Sequence, residues 1–226
     1  MKKILFGGIL LSLMTISCSK DGGEEDDGTT EVYLHTAAGS SWNYRSVDNI
    51  NPGPPEDYTR TSTSRDTIIN GRTYHVYTNS TSGESEYNGN VGKDYFIFQA
   101  LPDELGGTDV ENLYLKAGTA VNGSWDQQYP LDYSGFSFTA TITNKIIEKG
   151  LSKTVNGVAY TNVIHVKTDI AIAGLPPGTV TFTTDIHQYY APKFGLIESK
   201  SKIDFTILGT TESTDVTTTL QSATLL

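Results

Sequence analysis

Apolar and polar residues alternate with a period of two through much of the second half of the chain. Phe136, Phe138, Ala140 and Ile142 alternate with Ser137, Thr139 and Thr141, the pattern of a strand with one dry and one wet face. Ile164, Val166, Ile170 and Ile172 alternate likewise with His165, Lys167, Asp169 and Ala171. Val180, Phe182 and Ile186 oppose Thr181, Thr183, Asp185 and His187, and Ile203, Phe205 and Ile207 oppose Lys202, Asp204 and Thr206. The spacing predicts four consecutive antiparallel strands with Phe138, Ile170, Phe182 and Phe205 buried together and Thr139, His165, Asp185 and Asp204 in water. Sustained helical spacing is absent, with Pro102-Asp103-Glu104-Leu105 predicted as a single turn. The fold class expected is all-β, an antiparallel meander forming an open or incomplete barrel or curved sheet.

The chain also repeats itself weakly. Tyr33-Leu-His-Thr-Ala-Ala-Gly-Ser-Ser-Trp42 matches Tyr114-Leu-Lys-Ala-Gly-Thr-Ala-Val-Asn-Gly-Ser-Trp125. Each is followed by Asn-Gly-x-x-Tyr, at Asn70-Gly71 to Tyr74 and at Asn156-Gly157 to Tyr160. Asn-Gly between strand-like runs signals a tight hairpin, because both central residues of a type I′ turn need positive φ. Residues 31–226 are therefore read as one all-β domain with pseudo-repeats 31–112 and 113–226; two copies are too few for a solenoid.

The first thirty residues have a different character. Lys2-Lys3 precede an apolar run from Ile4 to Ile16, which ends in Thr15-Ile16-Ser17-Cys18. A cationic start and an apolar stretch too short to span a bilayer comfortably make residues 1–17 an export signal. The Thr15–Cys18 stretch resembles a bacterial lipobox, which implies that Cys18 becomes the acylated first residue of the mature chain. Cys18 is the single cysteine, so no disulfide forms within the chain. Residues 18–30 carry the anchor and then Ser19 to Thr30 (SKDGGEEDDGTT), which have nothing apolar to bury and several repelling carboxylates, hence an unfolded tether spanning roughly 20 Å.

Net charge narrows the partners. The chain carries 16 basic and 26 acidic side chains, net −10, and loses two lysines with residues 1–17. No basic stripe suited to phosphate backbones exists, so nucleic acid is not an expected partner. Attachment to the membrane is expected through acyl chains alone.

Gly39-Ser-Ser-Trp-Asn-Tyr44, the two Asn-Gly-x-x-Tyr hairpins and Tyr189-Tyr-Ala-Pro-Lys-Phe-Gly-Leu-Ile-Glu198 resemble a broad group of Bacteroidota lipoproteins of unassigned function. Lys20, Asp21, Glu24, Glu25, Asp26 and Asp27, just after the cysteine, resemble the surface-export signal of such lipoproteins. The resemblance implies an outer-membrane address, facing the cell exterior. Asp66-Thr67-Ile68 resembles the acceptor of protein O-glycosylation in the same phylum, which makes Thr67 a candidate modification site.

Sites for chemistry are sparse. If Ile172 lies opposite Val180 across a hairpin closed by Leu175-Pro176-Pro177-Gly178, then His165 faces His187 and Lys167 faces Asp185. Two histidines fall short of the three or four ligands zinc requires, so no metal site is assigned. His35 and His75 have no evident partners. No Gly-x-Ser-x-Gly elbow, His-Glu-x-x-His helix or cofactor motif is found, so the chain is expected to be non-catalytic, with no cofactor; an uncharacterised hydrolase is the third reading. The candidate ligand contacts are Trp125, Tyr129 and Tyr133, whose rings could stack on sugars or wrap an apolar molecule. The leading expectation is a lipid-anchored surface or periplasm-facing protein binding a hydrophobic ligand in a concave sheet face lined by the even-numbered residues from 164 to 182. The alternative is a glycan-binding or structural surface component that assembles with an outer-membrane partner.

Overall fold

The computed structural model describes residues 31–51, 53–100, 109–133, 136–175, 180–207 and 210–226. The export segment 1–17, the tether 18–30 with Cys18, the turn expected at 102–105 and the loop at 176–178 lie outside these residues. Twelve strands follow one another: β1 (Ser41–Asp48), β2 (Glu56–Ile69), β3 (Arg72–Asn79), β4 (Ser85–Val91), β5 (Asp94–Ala100), β6 (Asp109–Lys116), β7 (Ser124–Tyr133), β8 (Phe136–Val155), β9 (Val158–Ala173), β10 (Val180–Ala191), β11 (Gly195–Ile207) and β12 (Thr210–Thr224). They form one antiparallel sheet in the order β6-β5-β4-β3-β2-β1-β12-β11-β10-β9-β8-β7. Because β1 pairs with β12, the sheet curls into a nearly closed barrel, and the free edges belong to β6 and β7, which are consecutive in sequence. No helix occurs among the described residues.

The local signals act as their chemistry requires. Asn70 and Gly71 sit at φ 51° and 81°, Asn156 and Gly157 at 48° and 81°, so both hairpins turn on paired left-handed residues. They join β2 to β3 and β8 to β9, six strands apart, just as Trp42 in β1 and Trp125 in β7 are. The four strands expected from alternation lie within β8, β9, β10 and β11. Register differs from expectation by two residues: Ile186 faces Thr168, His187 faces Lys167 and Tyr189 faces His165. A two-residue slip leaves each side chain on its face, so the alternation survives while the pairs His165/His187 and Lys167/Asp185 are replaced. Lys167 instead pairs with Asp169 at 3.0 Å.

The core lies elsewhere than the alternation suggested. Phe138, Ile170 and Phe182 are only half-buried, and Asp204, expected in water, is half-buried as well; the side chain of Phe205 lies outside the described ones. The fully buried residues instead include Trp42, Tyr77, Tyr95, Leu115, Ile146, Ile164, Ile197 and Leu220. Eight strands make an interior just filled by its own side chains; twelve make one that is wider, so a dense core forms where extra chain enters. That chain is 31–40. Its backbone is held by Tyr33 N–H donating to Tyr95 Oη (3.0 Å), Lys193 N–H to Val32 O (2.7 Å) and Ser62 N–H to Ser40 O (2.8 Å). The tyrosine motif at 189–198 forms its seat: Gly195 has φ +69°, and a Cβ there would lie 3.3 Å from Tyr33 O.

The tip of the β8–β9 hairpin covers the same end. Register shifts between Ile146 and Lys153 bend it, and Asn156 Nδ2 donates to Leu220 O of β12 at 2.7 Å. Val155, Tyr160 and Val163 then pack with Ala191, Ile197 and Leu220. His165, expected in water, is buried at 7 % exposure, with the Tyr189 ring stacked on it and Glu148 and His187 at its two ring nitrogens: alternation dictates which face a residue takes, not whether neighbouring side chains cover it.

Candidate ligand-binding site

A cavity of about 290 Å³ occupies the barrel interior. Residues of β1 to β6 line one side and Gln188 and Tyr190 of β10 the other, with Tyr33 to His35 contributing as well. Its wall is aromatic and polar together: Trp42, Tyr44, Tyr58, Tyr77 and Tyr114 beside Arg60, Glu86, Asn88, Gln99 and Asn112. The Arg60 guanidinium stacks 3.7 Å from the Tyr77 ring centre and 5.8 Å from that of Trp42. Arg60 Nε lies 2.9 Å from Glu86 Oε2, an ion pair too bent to count as a hydrogen bond, while Glu86 Oε1 accepts from Asn79 Nδ2 at 2.9 Å.

Five buried polar atoms of the lining residues have no hydrogen-bond partner among the described residues: Trp42 Nε1, Arg60 Nε and Nη2, Asn88 Nδ2 and Asn112 Oδ1. Trp42 is 2 % exposed and Asn88 5 %, so neither reaches bulk solvent. Each unmade bond at a buried group costs about 1–3 kcal/mol, and five among the residues lining one cavity make it the candidate binding site. The tyrosine hydroxyls there remain protonated. Burial pushes Tyr58 and Tyr77 up to about 12 and raises Tyr44, Tyr114 and Tyr190 further; Tyr44 and Tyr77 donate their protons to Leu196 O (2.8 Å) and His35 O (2.7 Å).

The candidate contacts Trp125 and Tyr129 serve the seam instead. Where a backbone ladder between β6 and β7 is missing, Trp125 Nε1 donates to Leu113 O (2.7 Å), and Tyr129 Oη to Glu111 O (3.0 Å). Gln127 fills both roles: its Oε1 accepts from Leu113 N–H (2.6 Å) and its Nε2 donates to Glu111 O (3.2 Å). Trp125 is buried, which removes the exposed aromatic platform expected for a glycan. Tyr133 ends β7 opposite Phe136, and its side chain is outside the described ones. Among the described residues, the even-numbered ones from 164 to 182 do not line the cavity.

Two polar clusters go beyond the sequence reading, which brought together His165 and His187 but not their carboxylate partners. In the first, Glu148 Oε2 lies 3.2 Å from His165 Nδ1, His165 Nε2 lies 2.8 Å from His187 Nδ1, and His187 Nε2 lies 2.9 Å from Asp185 Oδ1. Three hydrogen bonds along this chain require three ring protons, one more than two neutral imidazoles hold. Burial lowers the pKa of His165. Tyr189 stacks on His165 at 4.3 Å. No group of three or more metal-ligating side chains occurs among the described residues.

The second cluster answers for a histidine without evident partners. Ser62 Oγ lies 2.8 Å from His75 Nε2, and His75 Nδ1 lies 2.7 Å from Asp66 Oδ1. The spacing is that of a serine hydrolase triad. Yet Ser62 is 2 % exposed and its Oγ also lies 3.0 Å from Thr36 O, so the cluster ties the segment 31–40 to β2. A register shift between Ser62 and Asp66 creates it, and no local pattern announces such a shift. His35, the other histidine without an evident partner, has Nε2 3.2 Å from Leu226 O. Thr67 is half-buried on β2, next to Ile68 at 73 % exposure.

No protein-family model and no curated protein matches the chain. The fold does match solved structures. A Parabacteroides distasonis protein provisionally described as a lipoprotein superposes with a TM-score of 0.52 at 15% identity, covering 86% of this chain and 99% of that one. A Bacteroides fragilis protein provisionally described as exported, with a YmcC-like fold, gives 0.45 at 10% identity over 86% and 99%. At such identities the likeness concerns the fold, and the chain is similar in architecture to the first of these proteins.

Proposed function

We propose that this chain is an exported lipoprotein, anchored through Cys18 in the outer membrane and facing the cell exterior, whose barrel interior binds a small polar molecule without transforming it. The export signal, the Thr15–Cys18 stretch and the acidic tether support the address, and the Parabacteroides distasonis protein of similar fold is provisionally described as a lipoprotein. The observation that carries the binding reading is the cavity lining with five buried polar atoms that lack a hydrogen-bond partner. A hydrophobic ligand, the leading expectation from alternation, would leave those atoms unpaired; the polar lining favours a ligand that hydrogen-bonds.

The experiment is a thermal-shift and calorimetric screen of residues 31–226 against amino acids, sugars, sugar acids, nucleosides and fatty acids. A polar compound should raise Tm and bind, and Asn88→Leu should abolish that binding. Binding confined to fatty acids, or a response to no polar compound at millimolar concentration, would refute the reading.

A further inference from the structure

We infer that the molecule the cavity takes is a neutral sugar ring, seated on the Arg60–Glu86 pair; this rests on the reading of the cavity as a binding site. The unpaired atoms are of both kinds, with donors on Trp42, Arg60 and Asn88 and an acceptor on Asn112. A hydroxyl group both donates and accepts, so a ring carrying several can meet such a mixed set from one scaffold. Its C–H faces suit the aromatic walls, and its polar rim suits the planar groups of Arg60, Glu86 and Asn88.

Charge argues against the alternatives. An anion drawn to Arg60 meets the Glu86 carboxylate at the same place, and a cation drawn to Glu86 meets Arg60, since their side chains approach within 2.9 Å. A zwitterion would need both, but each Glu86 oxygen already has a neighbour in Arg60 or Asn79. Neutral hydroxyls incur neither repulsion, and hydrogen bonds to charged partners are the stronger kind. The volume, about 290 Å³, is at the small end of ligand pockets, which run about 300–1,000 Å³. One ring suits it better than an extended chain.

The test is titration of residues 31–226 with neutral hexoses, pentoses and N-acetylhexosamines, followed by calorimetry and tryptophan fluorescence. Parallel arms use glucuronate, zwitterionic amino acids and palmitate. A neutral sugar should bind best and perturb tryptophan emission. Glu86→Gln, close in shape to the original, and Trp42→Phe, which deletes the indole N–H, should each weaken it by roughly tenfold, about the loss of one good hydrogen bond. Circular dichroism confirms that each variant is folded, and Arg60→Met gives a third reading of the same seat. Preferential binding of glucuronate or an amino acid would overturn the sugar assignment and leave the binding site standing. Failure of every compound would overturn both, and sugar binding unchanged in all three variants would move the sugar off this wall.

Discussion

Gln127 tests how the barrel closes. β6 and β7 are consecutive, yet the described hydrogen bonds between them come from side chains, and Gln127 supplies two of them, accepting from Leu113 N–H at 2.6 Å and donating to Glu111 O at 3.2 Å. Gln127→Leu keeps the approximate volume and deletes both. Glu111 O retains Tyr129 Oη, so the main loss is at the Leu113 amide, which is left without its acceptor. Two net hydrogen bonds at about 0.5–1.5 kcal/mol each, with part of the penalty for a desolvated amide, give about 2–3 kcal/mol. For a domain of this size that corresponds to a fall in Tm of roughly 4–12 °C. Urea denaturation should show the midpoint falling with an unchanged slope. Hydrogen exchange should accelerate at the Leu113 amide far more than at strands paired on both sides. Adding Tyr129→Phe should cost more than the two changes separately, because both act on Glu111 O. Unchanged stability together with a protected Leu113 amide would refute the side-chain seam and imply a backbone ladder there.

Further outcomes are expected. Cys18→Ala should move the protein from the membrane fraction to the soluble one; a variant that still sediments with outer membranes would contradict the anchor. Protease added to intact cells should remove the domain, and replacing Lys20, Asp21 and Glu24 to Asp27 with alanine should protect it, whereas complete protection of the unaltered chain contradicts exposure at the surface. Burial lowers the pKa of His165, so between about 6.5, the unfolded value, and the lower folded value the unfolded chain binds the proton first and stability falls as the medium is acidified. His165→Gln should flatten that part of the stability profile, and a slope unchanged in the variant would show that other groups set it. In the native host Thr67 should carry a glycan visible as added mass on its peptide, absent in Thr67→Ala; an unmodified peptide would contradict the assignment.

Alternation and turn chemistry are local, and what they dictate was readable from the residues. The two-residue period from Phe136 to Ile207 specified strands and their faces, and Asn70-Gly71 and Asn156-Gly157 specified two hairpins, because side-chain direction and positive φ depend on neighbours in the chain. An all-β meander followed from these together. Register did not follow: β9 and β10 are offset by two residues from the pairing read off the Leu175–Gly178 loop, since a slip of two keeps the faces intact and costs the pattern nothing. The cavity was equally invisible. Arg60, Glu86, Asn88 and Asn112 come from β2, β4 and β6, and each alone reads as a solvated polar residue; only closure of twelve strands turns them inward on one space. The same closure changed Trp125 and Tyr129 from candidate ligand contacts into fasteners of the seam, and the stacked Tyr189 ring covers His165 on a face the sequence marked as wet. Faces and turns were therefore determined by the sequence itself, because they are set residue by residue. Which faces meet, and what space they leave, was decided by the tertiary structure, because contacts across a closed sheet join residues that no local period relates.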